Sequence, residues 1–106
     1  MEIAGKKISI IGAVRSGIGA AKLVKRLGGK PFVSDLGDAK KLENQIKILK
    51  ENGIEFEIGH HSEKIFDCDL MIVSPGVPSD AKVIVTAKEK NIKVIGEIEF
   101  QNSTSL

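Results

Sequence analysis

The chain has 106 residues, of which 42% are hydrophobic and 28% are charged, and its formal net charge is +2. This length suits one domain with its own core, and the small net charge argues against a nucleic-acid or membrane-surface partner. No apolar stretch reaches the ~18 residues that span a bilayer. The single cysteine, Cys68, cannot form an internal disulfide. We therefore expect a cytoplasmic protein without a membrane partner.

The first predicted unit is a strand, a glycine-containing turn and a helix. Lys7 to Gly12 is a β-branched run whose apolar residues, at positions 8, 10 and 11, fall on both faces of an extended chain, which predicts a strand buried on both faces of a parallel sheet. From Ser16 onward, apolar residues at helical spacing predict a helix that ends at Gly28-Gly29. The predicted buried stripe of this helix is Ala20, Leu23, Val24 and Leu27. The glycine-containing turn between this strand and this helix directs backbone N–H groups and the positive helix end at one spot, where anions bind.

The middle of the chain predicts two more strands and a helix. Pro31 to Ser34 reads as the second strand, and Asp35 ends it. Asp38 is a suitable N-cap for a helix that buries Leu42, Ile46 and Leu49. Ile54 to Gly59 alternates apolar and charged residues, which predicts an edge strand with one wet face. A loop containing His60 and His61 follows, with a helical turn after Ser62.

The last part of the chain predicts two strands separated by a rigid turn and a helix. Asp69 to Ser74 is the fourth strand, and Pro75 to Pro78 cannot continue it. A helix after Ser79 or Asp80 should bury Ile84 and Ala87 and end at Asn91, before a fifth strand at residues 92–96. Residues 101–106 are polar and show no packing pattern.

Strands that alternate with helices predict a doubly wound α/β fold, here a five-stranded parallel sheet in the order 3-2-1-4-5. Ligands of such sheets bind outside the carboxyl ends of the strands, where the strand order reverses. Three segments should meet there: Gly12 to Gly17, Asp35, and Ser74 to Gly76. The convergence of these three segments predicts a binding cleft.

The first turn partly fits a dinucleotide fingerprint. Gly12, Val14 and Gly17 have the spacing of G-x-G-x-x-G, and Asp35 follows at a suitable distance. Valine in the middle position obstructs the usual approach of a pyrophosphate to the backbone. Ser16 could cap the helix or bind an anion, and Arg15 could clamp a phosphate. A stand-alone NAD(H)-binding regulatory module is therefore the alternative hypothesis.

Two other features suggest chemistry only weakly. Adjacent residues such as His60 and His61 point apart, and no cysteine or acidic partner has zinc-like spacing, so we predict no metal site. Cys68 precedes a buried strand and is interpreted as a small core residue rather than a nucleophile.

Five segments, in order, resemble the Mur ligases that build cell-wall peptide, most closely the branch that adds D-glutamate. They are GAVRSG at 12–17, VSD at 33–35, IGHH at 58–61, VSPGVP at 73–78 and GEIEF at 96–100. The resemblance covers about Lys6 to Phe100. It implies a Rossmann-like three-layer domain that binds the UDP end of UDP-N-acetylmuramoyl-L-alanine in peptidoglycan precursor synthesis. It also implies that Glu97 and Glu99 are structural residues at the end of this domain.

In the resemblance, residues 1–100 form the substrate-binding domain and residues 101–106 begin a linker. The parent would be an ATP-dependent, magnesium-dependent amide-forming ligase, with its central and C-terminal domains as partners. The chain has no G-x-x-x-x-G-K-[S/T] phosphate loop. The fragment alone is therefore expected to bind no cofactor and to be inactive.

The resemblance also implies which residues bind the substrate. Arg15, Ser16 and Gly17 would lie against the diphosphate, Asp35 and Leu36 would border the ribose and uracil, and Gly76 would approach through its backbone. The full predicted UDP site is Gly12, Arg15, Ser16, Gly17, Asp35, Leu36, Ser74, Pro75 and Gly76. Val14 and Leu36-Gly37 depart from the family pattern. No catalytic residue is predicted.

Overall fold

The computed structural model describes residues 2–12 and 15–104, with the backbone alone for residues 15 and 16. The strands are β1 (Lys7–Ile11), β2 (Lys30–Asp35), β3 (Glu55–Ile58), β4 (Leu70–Val73) and β5 (Val94–Gly96). The helices are α1 (Arg15–Arg26), α2 (Glu43–Glu51), α3 (Lys82–Glu89) and α4 (Glu97–Thr104), and a short 3₁₀ helix spans Glu63–Phe66. Over this part of the chain, no helix combines the length and apolarity needed to cross a bilayer.

The strands in the described part of the chain form one five-stranded sheet in the order β3-β2-β1-β4-β5. All four strand pairs are parallel, so the predicted fold class and strand order are confirmed. The order reverses between β1 and β4, which are neighbours in the sheet. Their carboxyl ends therefore form the switch point at which open α/β sheets bind ligands.

Both faces of the sheet are covered, which explains why β1 and β4 are apolar without alternation. On one face, Ile10 and Ile72 pack with Val24 of α1 and Phe100 of α4, and all four are fully buried. On the other face, Met71 packs in a cluster with Ala87 of α3 and Ile65 of the 3₁₀ helix. Burying each large apolar side chain contributes roughly 1.5–3 kcal/mol, so the layers fix the sheet that carries the site.

Helix α2 begins later than the sequence predicts. Leu42 and Leu49 are buried as expected, but the helix begins at Glu43, and its N-cap, Leu42, makes no side-chain capping bond. The Asp38 carboxylate instead accepts a hydrogen bond of 2.9 Å from the Lys40 N–H. Asp38 therefore closes a local turn before the helix. Asp side chains often do this, because they hydrogen-bond to backbone N–H groups two residues further on.

The first helix also ends before the last residue of its predicted stripe. Ala20 and Val24 are fully buried, whereas Leu27 is 36% exposed. Helix α1 ends at Arg26, and Gly28 adopts a positive φ of 88°, as the predicted glycine cap requires. Leu27 therefore lies beyond the helical face that packs on the sheet.

The polar tail carries more structure than its composition predicts. Helix α4 continues to Thr104, although residues 101–106 show no packing pattern. The anchor is Phe100, which is fully buried, and the Ser103 and Thr104 hydroxyls donate to the carbonyls of Glu99 and Phe100. Burial of one aromatic residue, with local hydroxyl bonds, extends the helix where propensity alone does not.

Candidate functional site

An open cleft of about 730 Å³ lies at the carboxyl edge of the sheet. Four of the nine predicted site residues line it: Gly12 after β1, Asp35 and Leu36 at the end of β2, and Gly76 after β4. Three segments that are distant in sequence therefore meet around one space, as the strand order predicted.

The other predicted site residues lie around this cleft without lining it in the described structure. Gly17 is buried in the first turn of α1. Ser74 is buried at 4% exposure directly after β4, and Pro75 is exposed in the following turn. The side chains of Arg15 and Ser16, and the departure at Val14, lie outside the described residues.

Two glycines allow α1 to begin directly against the end of β1. Gly12 has a φ of 112°, a conformation that L side chains rarely adopt. A Cβ on Gly12 would overlap the Ser74 hydroxyl, and a Cβ on Gly17 would overlap the carbonyl oxygen of Gly12. Glycine at both positions therefore lets the helix N-terminus, the end of β1 and Ser74 pack together.

The Ser74 hydroxyl is buried and has no hydrogen-bond partner among the described residues. Leaving such a group unsatisfied costs about 1–3 kcal/mol. The first N–H groups of a helix also lack intrahelical partners, and the first turn of α1 contains no acidic residue. This corner thus combines an unsatisfied hydroxyl with a positive helix end, which together suit an anionic oxygen.

The end of β2 is shaped by Asp35. Its carboxylate accepts a 2.6 Å hydrogen bond from the Gly37 N–H, and its carbonyl accepts one of 2.7 Å from the Gly59 N–H. A Cβ on Gly37 would lie 2.8 Å from the Asp35 carboxylate oxygen, so glycine at position 37 permits this close turn. Leu36, 65% exposed, presents an apolar side chain at the cleft.

A polar cluster lies where β2 and β3 end, and we call it the Ser34 cluster: Ser34, Glu57, His60, His61 and Ser62. The Ser34 hydroxyl lies 2.6 Å from Glu57 Oε2 and 2.7 Å from His61 Nδ1. Glu57 Oε2 also accepts a 2.8 Å bond from the Ser62 N–H, and its Oε1 lies 3.6 Å from His60 Nε2. The cluster therefore ties the loop after β3 to the neighbouring strand.

The prediction that the charged residues of β3 face solvent is wrong for one of its two glutamates. Glu55 is exposed and forms a 2.6 Å ion pair with Lys64, but the Glu57 side chain is only 11% exposed. Glu57 lies opposite Ser34 in the register of β2 and β3. Since Ser34 and Ser62 donate hydrogen bonds to it, the carboxylate is satisfied away from water.

The charge states of the cluster follow from its contacts. Burial alone would raise the pKa of Glu57, but hydrogen bonds from Ser34 and Ser62 outweigh it and lower the pKa. Burial lowers the pKa of His61, against the opposing pull of the Glu57 and Asp35 carboxylates. Near neutral pH, Glu57 is therefore charged and His61 is neutral.

Several residues that line the cleft were not predicted. His61 is one, and an apolar wall is formed by Ile65, Phe66, Val77, Pro78 and Val83. Among the described residues, no group of three or more His, Cys, Asp or Glu side chains could hold a metal ion. The contact that brings His61 to the cleft depends on the register that places Ser34 opposite Glu57, and no sequence signal could have found it.

Comparison with known families bears on what this cleft binds. The model of the MurD N-terminal domain matches residues 7–83 of the chain. The chain belongs to the MurD N-terminal domain family. The membership that the five sequence segments predicted is thereby confirmed.

Relatives of this MurD N-terminal domain are much longer proteins. A UDP-N-acetylmuramoylalanine--D-glutamate ligase from Chloroherpeton thalassium is 47% identical over 102 residues, which are 93% of this chain and 21% of that protein. The ligase of the same name from Christiangramia forsetii is 48% identical over 97 residues, which are 91% of this chain and 21% of that protein. The chain thus spans about a fifth of the length of these curated relatives.

A solved structure shares the fold of this MurD N-terminal domain. The crystal structure of UDP-N-acetylmuramate-alanine ligase MurC from Thermotoga maritima matches with a TM-score of 0.74 and 24% identity. The match covers 93% of this chain and 22% of that chain. At this identity, the likeness establishes the architecture and not the ligand.

Proposed function

We propose that this domain binds the UDP end of UDP-N-acetylmuramoyl-L-alanine for a ligase that joins D-glutamate to that precursor. The observation that carries the proposal is the cleft at the carboxyl edge, where Gly12, Asp35 and Gly76 meet. The relatives that share its sequence are named as ligases of this precursor and D-glutamate, which supports the choice of ligand.

In the proposed complex, the diphosphate lies at the N-terminus of α1. Gly12 and Gly17 let α1 begin directly against the end of β1 at this point, the Ser74 hydroxyl donates to the diphosphate, and Arg15 and Ser16 add charge and a further donor. Asp35 accepts from a ribose hydroxyl and Leu36 packs against the uracil. Pro75 and Gly76 form the opposite side of the site, with Gly76 contributing backbone contacts.

The parent reaction needs parts that this chain does not contain. We propose that ATP, magnesium and D-glutamate bind to a central and a C-terminal domain, because no G-x-x-x-x-G-K-[S/T] loop occurs in these 106 residues. Residues 1–100 would be the substrate-binding domain, and residues 101–106 would lead towards the central one. This chain alone would then bind substrate without catalysing ligation.

The test is a titration of the ¹⁵N-labelled chain with UDP and with UDP-N-acetylmuramoyl-L-alanine, followed by NMR. We expect the amide resonances of Gly12, Gly17, Asp35 and Gly76 to shift with both ligands. Unchanged resonances at millimolar ligand would contradict the proposal. Tight binding of NADH, with no response to UDP, would instead favour the NAD(H)-binding regulatory module.

A further inference from the structure

The hydrogen-bond pattern of the Ser34 cluster fixes where the proton of His61 lies. A serine hydroxyl has one proton, and the Ser34 proton goes to Glu57 Oε2, a carboxylate 2.6 Å away that can only accept. The 2.7 Å contact between Ser34 Oγ and His61 Nδ1 must then be donated by the imidazole. His61 therefore carries its proton on Nδ1.

This tautomer leaves Nε2 of the neutral ring as an acceptor. His61 lines the cleft, and no hydrogen bond to its Nε2 is found within residues 2–12 and 15–104. The same ring is held by Ser34, which is itself fully buried. The cleft thus contains an acceptor whose protonation state and orientation are set before any ligand binds.

The position of His61 along the sheet edge indicates which part of a nucleotide it meets. From the switch point outward, the order is the end of β1, Asp35 at the end of β2, and then the loop that follows β3. His61 Nδ1 lies 2.7 Å from Ser34 Oγ, so the ring lies beside the end of β2, one strand spacing of about 5 Å from β1. Asp35 and Leu36, which the proposed function places at the ribose and the uracil, follow Ser34 directly in the chain, so His61 lies at the base end.

We propose that His61 is a specificity-determining residue that accepts a hydrogen bond from the N3–H of uracil through its Nε2 atom. This inference rests on the proposed function. At neutral pH the uracil of a nucleotide has one N–H group, at N3, whereas the N3 atom of cytosine is itself an acceptor. An acceptor fixed at this position therefore favours uridine over cytidine nucleotides.

The experiment measures the dissociation constants of UDP and CDP for wild type and for His61→Asn. Asparagine keeps a short side-chain N–H near Ser34 but removes the distal acceptor. We expect wild type to prefer UDP, and the ratio of the two constants to fall by about three- to tenfold in the variant. Glu51→Gln is the control, because Glu51 is exposed on α2 and does not line the cleft, so its ratio should equal that of wild type.

The outcomes distinguish a loss of UDP binding by the domain from a loss of the role of His61. If folded wild type does not bind UDP, the proposed function fails and this inference fails with it. If UDP binds but the UDP-to-CDP ratio is the same in wild type and His61→Asn, only the role of His61 is overturned. A long-range ¹H–¹⁵N spectrum that places the proton on Nε2 would also overturn it, whereas a proton on Nδ1 supports it.

Discussion

Two buried serines at the same edge of the sheet have opposite surroundings. Ser34, at the end of β2, has the Glu57 carboxylate, His61 Nδ1 and the His60 carbonyl within 3.2 Å. Ser74, after β4, has no hydrogen-bond partner among the described residues. The Ser34 side of this sheet edge is therefore built in advance by side chains of this chain, while the Ser74 side leaves a polar group unsatisfied.

The difference separates two ways of making a binding site. At the proposed base end, the protein satisfies its own polar groups and holds a neutral imidazole in place, which gives selectivity. At the proposed phosphate end, the protein leaves a hydroxyl without a partner beside a helix N-terminus. A hydrogen bond from that hydroxyl to a bound anion would strengthen binding. Substitutions that change one end at a time separate the two contributions.

The largest effect is expected from a single methyl group at the start of α1. Gly17→Ala places a Cβ against the Gly12 carbonyl, so the helix must shift at a cost of about 1–3 kcal/mol, and UDP binding should be lost. Gly19→Ala is the control, because a Cβ on Gly19 meets nothing within 4 Å and should stabilise α1 by about 0.5–1 kcal/mol. Urea unfolding of both variants checks this, and equal stabilities would contradict it.

Next in size is the effect of removing the hydroxyl at the prebuilt end. Ser34→Ala leaves the poorly exposed Glu57 carboxylate without one donor and His61 without its acceptor, which should lower the free energy of unfolding by about 1–3 kcal/mol. Ser79→Ala changes an exposed serine and should stay within about 0.5 kcal/mol of wild type. A Ser34→Ala variant as stable as Ser79→Ala would show that the cluster adds nothing to folding.

A smaller effect is expected at the rim of the cleft. Leu36→Ala removes a side chain that is 65% exposed, so stability should change by less than about 0.5 kcal/mol. If the leucine packs on the base, UDP should bind about three- to fivefold more weakly, the loss expected for part of one apolar side chain. Calorimetry checks this, and unchanged affinity would place the base away from Leu36.

The smallest effect concerns pH. The pKa of His61 is lowered from its ordinary 6.5, mainly by burial, so below that value the unfolded chain binds more protons than the folded one. The stability that comes from burying a neutral His61 is therefore fully present above pH 6.5. It is lost as pH falls through the pKa of His61 in the folded chain. Urea unfolding from about pH 7.5 to about pH 5.5 should show wild type losing stability relative to His61→Asn. A gain in the stability of wild type relative to His61→Asn over this pH range would contradict the prediction.

Glycines and apolar runs made the fold predictable. The apolar residues of β1 and β4 fall on both faces of each strand and predict burial on both, and Gly28 correctly marks the end of α1. Two local features were harder to predict. Asp38 closes a turn instead of capping α2, and the burial of Phe100 extends α4 into the polar tail. The link between Ser34 and His61 depends on the register of strands that are distant in sequence, which no local pattern contains.

The contrast between the two serines is tested most directly by Ser74→Ala, unfolded in urea with and without saturating UDP. Without ligand, we predict that this variant is as stable as wild type or slightly more so, because the lost hydroxyl has no partner among the described residues. With UDP, its stabilisation should be smaller than that of wild type, since one donor to the diphosphate is gone. A ligand-free loss as large as that of Ser34→Ala, or an unchanged stabilisation by UDP, would contradict the account.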